Sequence, residues 1–307
     1  MKAPARNETR LQAAKALLTI TAKEWWNDDT LRYAASLAFY TMFSLAPVLL
    51  IAVGVASLFF GREAASAGII EEIQSLVGPQ GAQAVRDVMS ASTGLGDSFW
   101  AIGVGIITFF LGASVVFAEL QIALNKIWDV EVQPKRGVIA NLILDRLRSF
   151  TIALGVGFLL LVSLVISAFV SAVQMWLDTS IPGVPWVWQI LNVVASFGIA
   201  VLLFAMIYKY LPDAKIAWRD VWIGAGVTAA LFTIGKDLIG LYLGQTAAAS
   251  AFGAAGSFAV LLLWVYYSAL ISFFGAEFTQ VFARRHGSMI QPEEHAERIG
   301  DKSDTLE

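Results

Sequence analysis

The stretch that decides the fold is Thr179–Tyr208, which reads TSIPGVPWVWQILNVVASFGIAVLLFAMIY. It contains no Asp, Glu, Lys or Arg. A helix of about 20 apolar residues spans the roughly 30 Å hydrocarbon core of a bilayer. Soluble domains of ordinary composition have no apolar run of this length, because roughly a quarter of their residues are charged. The stretch therefore predicts a transmembrane helix.

The remainder of the chain has the same character. Of the 307 residues, 57% are hydrophobic and only 15% are charged. Further long runs without charge predict an all-α, multi-pass transmembrane bundle with six transmembrane helices. The predicted helices cover residues 37–60, 99–118, 150–173, 186–208, 221–243 and 257–281.

Lys and Arg alternate between the segments that connect these helices. The N-terminal segment, the segments after the second and fourth predicted helices, and the C-terminal segment together hold 18 of the 21 basic residues. The segments that alternate with them hold two. Because basic loops stay in the cytoplasm, we expect both termini to be cytoplasmic.

Three segments lie outside the predicted helices of the transmembrane domain, which covers residues 31–285. Residues 1–30 are expected to be a cytoplasmic segment with an amphipathic helix, which anchors the first transmembrane helix or has a regulatory role. For loop 62–97, the sequence predicts two short helices on the outer side, separated at Gly78–Gly81. These helices would form either a structural cap or a substrate-binding lid. Residues 286–307 predict a polar, disordered cytoplasmic tail. The apolar stripe of the amphipathic helix is Leu11, Ala14, Leu18, Ala22 and Trp25.

Two features of the predicted helices concern their packing. Pro47 interrupts the first transmembrane helix and should kink it, since proline removes a backbone hydrogen bond. Gly226 and Ala230 are spaced four residues apart in the fifth helix, a pattern that favours close packing of helices. The small-residue segment Gly244–Ser257 predicts either a re-entrant segment or a tight outer connection.

Ionisable residues inside apolar helices are candidates for function, because each costs about 2.5–3.5 kcal/mol at the centre of the bilayer. Lys236 and Asp237 lie in the fifth predicted helix and are candidates for a substrate or proton path. The alternative is that the lysine reaches the headgroups and the aspartate bonds to a neighbouring helix. Tyr266, Tyr267 and Ser44 are their candidate polar partners.

Four further charged residues lie near predicted helix ends. Glu277 and Glu119 belong to the cytoplasmic ends of the sixth and second helices, where a structural role competes with a polar entrance to the same path. Arg146 and Arg148 precede the third helix. These two arginines either serve only to orient the chain in the membrane or also contact anionic lipid headgroups.

The sequence argues against several kinds of chemistry. Cysteine is absent, and both histidines, His286 and His295, lie in the C-terminal segment. Disulfides, zinc–thiolate sites and Ser–His or Cys–His catalysis in the body of the protein are therefore excluded. We find no Walker loop and no nucleic-acid-binding motif. The expected partners are membrane lipids, with a homo-oligomer left open, and no catalytic residue, cofactor, metal or nucleic-acid partner is predicted.

Several stretches resemble the YihY/BrkB family of bacterial inner-membrane proteins. The similarity extends over roughly residues 22–286. The resemblance implies a bacterial inner-membrane protein from a family described as virulence-associated or envelope proteins and as transporters. It does not supply a catalytic set. The stretches that carry it are Ala34–Pro47, Glu119–Trp128, Leu211–Asp220, Gly253–Ser257, Leu263–Ser268 and Phe274–Phe278.

Three hypotheses for the function follow. The first is a transporter or translocator of an envelope-related amphiphile or small solute, without enzymatic turnover. The second is a structural or scaffolding envelope protein, in which deep charges would be paired internally. The third is the ribonuclease of an old family label. The sequence argues against the third, since orientation already explains the cytoplasmic basic residues and no carboxylate or histidine cluster lies in a soluble segment.

The first prediction concerns orientation. A single cysteine introduced at Ser92, in the outer loop, should react with a membrane-impermeant thiol reagent added from outside the inner membrane. The chain has no native cysteine to interfere. A cysteine at Lys135, in a predicted cytoplasmic loop, is the control and should react only after permeabilisation. Reaction of the Ser92 cysteine only from the cytoplasmic side would contradict the orientation.

Overall fold

The structure is a computed structural model that describes residues 10–92, 115–132, 185–245, 256–287, 291–293 and 296–298. Helices make up most of these residues. The helices are α1 (Arg10–Asn27), α2 (Thr30–Phe60), α3 (Arg62–Ser92), α4 (residues 115–127), α5 (Pro185–Tyr210), α6 (Trp218–Gln245) and α7 (Gly256–His286). The strands are β1 (Val130–Val132), β2 (Ala214–Lys215), β3 (Gln291–Pro292) and β4 (Ala296–Arg298).

Three of the described helices are long and apolar enough to cross a membrane. Their candidate spans are Val193–Tyr210 in α5, Trp218–Ile239 in α6 and Gly256–His286 in α7. Even the shortest, with 18 residues, is about 27 Å long at 1.5 Å per residue. The ends of α5, α6 and α7 lie within five residues of the predicted fourth, fifth and sixth transmembrane helices.

The first three predicted transmembrane helices are described in part. The first lies within α2, which is helical from Thr30 to Phe60. The second is described only over residues 115–118, which are helical. The third lies outside the described residues, as do the side chain of Pro47 and most of the connection Gly244–Ser257. The count of six spans therefore stays a prediction.

The chain divides into two compact units. Unit 1 comprises Met1–Asp28, Leu124–Leu231 and Ser272–Glu307, and unit 2 comprises Asp29–Ala123 and Phe232–Ile271. Unit 1 contains described parts of all four segments that the Lys and Arg pattern predicts to be cytoplasmic. Unit 2 contains the described part of the predicted outer loop.

In unit 1, α6 and α7 cross closely because a glycine of each helix faces a threonine of the other. A Cβ atom at Gly224 would overlap the side chain of Thr279, and a Cβ atom at Gly275 would overlap that of Thr228. Each threonine hydroxyl donates to the glycine carbonyl one turn earlier in its own helix, over 2.8 Å for Thr228 and 2.6 Å for Thr279. Small residues allow this approach, and local bonding satisfies the hydroxyls.

Helix α5 joins the same crossing through Tyr208, which is fully buried. Its hydroxyl donates to the carbonyl oxygen of Ser272 over 2.6 Å and lies 3.0 Å from the hydroxyl of Thr228. A buried tyrosine needs a partner of this kind for its polar end. Among the described residues, a Cβ atom at Gly226 would meet no atom within 4 Å, so the close packing found in this part of the chain is not at the predicted position. The glycine that packs is Gly224, two residues earlier.

The predicted outer loop is helical, and the two predicted helices form one bent helix, α3, with the bend at the predicted position. Helix α3 is continuous across Pro79. A straight helix would separate Gln74 from Arg86 by about 18 Å, further than their side chains can reach. The Arg86 Nη2 nevertheless donates to Gln74 Oε1 over 3.2 Å. Helix α3 must therefore bend between these residues, where Pro79 lacks a backbone donor.

The bend lets both arms of α3 share the apolar core of unit 2. Residues of both arms pack with α2 and with the first half of α7. The buried members are Met42, Leu49, Ala84, Val85 and Leu261, with Ile69, Ile73, Val88 and Met89 among the partly buried ones.

The C-terminal segment contains regular structure where the sequence predicted disorder. Strand β4 pairs antiparallel with β1, and β3 pairs antiparallel with β2. The backbone N–H of Glu293 also donates to the carbonyl of Asp213 over 3.1 Å. The described parts of the tail are therefore held on the segments that follow α4 and α5.

Helix α1 forms where the sequence predicted a helix. Leu18 is 50% exposed, and Ala14 and Ala22 are exposed as well. The side of α1 that carries Thr21 and Trp25 faces inward, with Thr21 fully buried and the ring of Trp25, a member of the predicted apolar stripe, against that of Phe274. Contact of the exposed part of the stripe with a membrane surface stays a prediction.

The second prediction tests the crossing of α6 and α7. Gly224→Ala should lower the melting temperature of the detergent-solubilised protein, because overpacking a tight contact costs about 1–3 kcal/mol. Gly226→Ala is the matched control on the same helix. It should leave the melting temperature unchanged or raise it, since alanine favours a helix over glycine by about 0.5–1 kcal/mol and meets no neighbour. Equal effects of the two changes would contradict the crossing.

Candidate functional site

The second half of α7 is buried on every side within unit 1. Each residue from Gly275 to Ala283, apart from half-buried Phe282, is buried. A helix enclosed all round lies in the core of its unit. Any polar side chain of this segment must therefore find a partner inside the protein.

Glu277 is the exception to that requirement. Its side chain is fully buried, and neither carboxylate oxygen has a hydrogen-bond partner. An isolated buried carboxylate is costly to hold as an anion, so a proton or another positive group must neutralise it. The carboxyl group of Glu277 is therefore suited to hold a proton or another positive group.

The charged groups that act on buried Glu277 are acidic. Asp28, which follows the end of α1, interacts with it most strongly, followed by Glu24 of α1 and Asp129 of the turn after α4. The carboxyl groups of Asp28 and Glu277 face each other, but their geometry falls short of a hydrogen bond. Like charges in such an arrangement cannot all be ionised cheaply.

The nearby cations pair with the other acids. Lys126 Nζ lies 3.3 Å from Asp28 Oδ1, and Arg284 Nη1 lies 3.3 Å from Asp129 Oδ2. Gln280 Nε2 also donates to Asp129 over 3.0 Å. Among the described residues, none forms an ion pair with Glu277. We call Glu24, Asp28, Asp129 and Glu277 the acidic cluster.

Asp129 combines unusual backbone and electrostatic properties. Its φ of 53° is left-handed, a conformation in which Asp and Asn are enriched among non-glycine residues. Burial raises the pKa of its carboxyl group, Asp28 raises it further, and Arg284, Lys126 and Arg298 oppose the shift. The left-handed turn aims this carboxylate at α7.

A separate pair of polar residues holds the surrounding segments together. Asn125 Nδ2 donates to Asp213 Oδ2 over 2.8 Å, and the backbone N–H of Asp213 donates to Asn125 Oδ1 over 2.8 Å. This two-way bond joins α4 to the segment before β2. Because both groups are satisfied, the pair is structural.

The acidic cluster does not have the ligands of a metal site. Within the described ranges, no three His, Asp or Glu side chains are close enough to hold one metal ion.

Lys236 and Asp237 lie in the second half of α6, near the end of its candidate span at Ile239. Their depth in the membrane stays a prediction. Asp237 is exposed, between exposed Ile234 and Leu238, and Lys236 is partly exposed. In the described part of the chain, neither side chain has a hydrogen bond or an ion pair.

The predicted partners of this pair are distributed as follows. Tyr267 lies beside Gly235, where a Cβ atom would approach its hydroxyl to 3.3 Å, and Tyr266 is half-buried. Ser44 is buried, but its hydroxyl donates to the carbonyl of Thr41 in its own helix over 3.0 Å. Only Tyr267 thus comes near the segment that carries Lys236.

The remaining predicted residues are not part of the acidic cluster. Glu119 is half-buried in α4 and belongs to unit 2, whereas Glu277 belongs to unit 1. Arg146 and Arg148 lie outside the described residues.

Sequence reasoning missed Glu24, Asp28 and Asp129 as partners of Glu277. The signal available was the spacing of Glu24 and Asp28, four residues apart and so on one face of α1. The apolar stripe chosen for α1 drew attention to another face. For Asp129, no sequence signal indicates which helix its carboxylate reaches.

These features define a helical membrane protein with a buried, uncompensated carboxyl group. The chain belongs to the virulence factor BrkB family, whose sequence profile matches residues 21–300. Two of the stretches that carry the resemblance, Leu211–Asp220 and Phe274–Phe278, lie in unit 1, as does the second half of a third, Leu124–Trp128.

Relatives of the chain come from several bacteria. A UPF0761 membrane protein of Pseudoalteromonas translucida is 23% identical, with 83% of this chain and 84% of the relative aligned. One from Alteromonas mediterranea is 26% identical over 86% of each chain. One from Pseudomonas aeruginosa is 27% identical over 83% of this chain and 60% of its own length. No solved structure matches the chain.

The third prediction concerns Asp129. Because its pKa is raised above the ordinary value of 3.8, the folded protein holds this proton more tightly than the unfolded chain. The contribution of Asp129 to the free energy of unfolding must therefore fall as the pH rises from about 4 through the folded-state pKa. Asp129→Asn, which tolerates the left-handed backbone, should remove that fall.

Thermal unfolding in detergent over a series of acid to neutral pH values measures this effect. Asp87→Asn, which changes an exposed carboxyl group of α3, is the matched control and should follow the wild-type curve. A wild-type minus Asp129→Asn difference in stability that increases with pH would contradict the assignment.

Proposed function

We propose that the chain is a transporter or translocator of an envelope-related amphiphile or small solute, and that Glu277 is its coupling group. The observation that carries the proposal is the fully buried carboxyl group of Glu277, which has no hydrogen-bond partner and no paired cation among the described residues. In a membrane helix, such a group is by default a functional one.

If the protein were a scaffold instead, Glu277 would be expected to have an internal partner. A scaffold gains nothing from an unpaired buried acid, and replacing such a group by an apolar one of similar volume is often neutral or stabilising. Asp28 and Asp129 have the internal pairing that a scaffold would need, whereas Glu277 does not. This contrast favours transport over scaffolding.

The role that sequence analysis gave to Lys236 and Asp237 becomes secondary in this proposal. Their exposed position near the end of a span favours contact with headgroups or water, where charges cost little. Glu277 takes their place as the residue that would load and release a proton during transport.

We also propose the location and orientation of the protein in the cell. The chain would lie in the bacterial inner membrane with both termini in the cytoplasm and would contact membrane lipids. It would work without enzymatic turnover and without a nucleic-acid partner. The family relationship supports the membrane setting, and the Lys and Arg pattern supports the orientation.

The fourth prediction tests transport and the role of Glu277 together. The full chain is reconstituted in liposomes that contain a fluorescent phosphatidylethanolamine, and the fraction that dithionite can reach is followed with and without a proton gradient. A parallel set of vesicles reports the uptake of amino acids and sugars by light scattering. For one of these probe classes, wild type should move the probe faster with the gradient, and Glu277→Gln should fall to the rate of protein-free vesicles.

Asp237→Asn is the matched control, since it also neutralises one carboxyl group of an apolar helix but an exposed one. It should keep the wild-type rate. Movement of neither probe class by wild type would overturn the transport proposal in favour of a scaffold. Gradient-dependent movement that Glu277→Gln retains would overturn the role of Glu277 alone.

A further inference from the structure

Helix α1 covers one side of Glu277. Trp25 of α1 contacts Phe274 of α7 with ring centroids 6.3 Å apart in an edge-to-face arrangement. Phe274 lies one turn before Glu277 on α7. Glu24 and Asp28, on the inward side of α1, act electrostatically on the buried carboxyl group of Glu277. The opposite side of α1 is open, as the 67% exposure of Trp26 indicates.

Two contacts of α1 lie close to Glu277. Lys126 of α4 holds Asp28 at 3.3 Å, and the ring of Trp25 packs against that of Phe274. Residue Asp29, which separates α1 from α2, has a left-handed φ of 54°. Helix α1 is thus a short element that ends at an abrupt turn and packs against α7 mainly through its inward face.

The charge interactions between α1 and α7 depend on whether Glu277 carries a proton. With Glu277 neutral, two acidic residues of α1 can pack against it. If Glu277 loses its proton, its anion faces Asp28 and Glu24 in a buried place, and repulsion adds to the cost of desolvation. Moving α1 away lowers both costs, because it separates the charges and admits water.

We propose that Glu277, Asp28 and Glu24 form a proton-binding site and that α1 is its cover, closed over protonated Glu277 and released when the proton leaves. The inference rests on the proposed transport function for its purpose, since a cover that opens on proton release gives access to the coupling group. Its test requires neither a substrate nor a gradient.

Other titratable groups near Glu277 must be considered. Asp129 faces it from the turn after α4, and its charge is opposed by Arg284 of α7. Lys126 of α4 is occupied with Asp28. His286, at the exposed end of α7, stacks on Phe282 at 5.5 Å. Because it is an ionisable side chain on the same helix as Glu277, it receives its own control variant.

The experiment measures the distance from α1 to α7 by pulsed electron paramagnetic resonance. Spin labels are attached to cysteines at Lys23 and Arg285, both exposed, in a chain without native cysteine. The full chain is placed in nanodiscs of phosphatidylethanolamine and phosphatidylglycerol. Across a series from acid to alkaline pH, wild type should change from one short distance to a longer or broader distribution.

Variants assign the change to Glu277. Glu277→Gln should keep the short distance at every pH. Asp29→Asn, which alters the adjacent exposed aspartate, and His286→Gln should respond like wild type. Glu24→Gln removes one like charge, so its transition should move to more alkaline pH. If Glu277→Gln fails to fold, as judged by circular dichroism, the shift in the transition pH of Glu24→Gln tests the proposal in its place.

Four results would overturn the proposal. They are a wild-type distance that does not depend on pH, a pH response that Glu277→Gln retains, an unshifted Glu24→Gln transition, and loss of the response in His286→Gln. Closure by sodium chloride at constant alkaline pH, but not by choline chloride, would assign the site to a metal cation instead. Because no transport is measured, these results leave the proposed function to be judged separately.

Discussion

The close crossing of α6 and α7 is the contact on which the rest of unit 1 depends. Gly224 and Gly275 remove the side chains that would keep the helices apart, and Thr279 and Thr228 fill the space that each glycine leaves. Tyr208 then bonds to the same place from α5. Lipid tails are as apolar as helix side chains, so packing and local hydrogen bonds have to hold such helices together.

The crossing also determines where Glu277 points. Gly275 and Thr279 face α6, and Glu277 lies two residues from each, about 200° away around the helix. The carboxyl group therefore projects from the opposite side of α7, toward α1 and the turn after α4. The neighbours found there, Asp28, Glu24 and Asp129, are acidic. One apolar helix thus has a small-residue face for packing and a single ionisable group on its other side.

The sequence predicted the helices of the chain far better than it predicted their faces. Long apolar runs determine α5, α6 and α7 without regard to neighbours, so their ends could be placed within five residues. Which side of a helix is buried depends on tertiary contacts. The sequence pointed to Gly226, whereas the close contact in the described residues is at Gly224, for this reason. A shift of two residues turns a helix to its opposite face.

The same limit applies to the candidate site. Lys236 and Asp237 stood out because they are charged residues in an apolar run, and such a run has no marker for where the membrane surface cuts it. Glu277 was recognised, but its depth was not, because nothing near it in sequence reveals that α7 is enclosed by α1, α4 and α6 in unit 1. A buried carboxyl group without a partner works against stability. In the proposed proton-binding site, the acids of α1 would couple that cost to a movement of the helix, and so make the protein respond to protons.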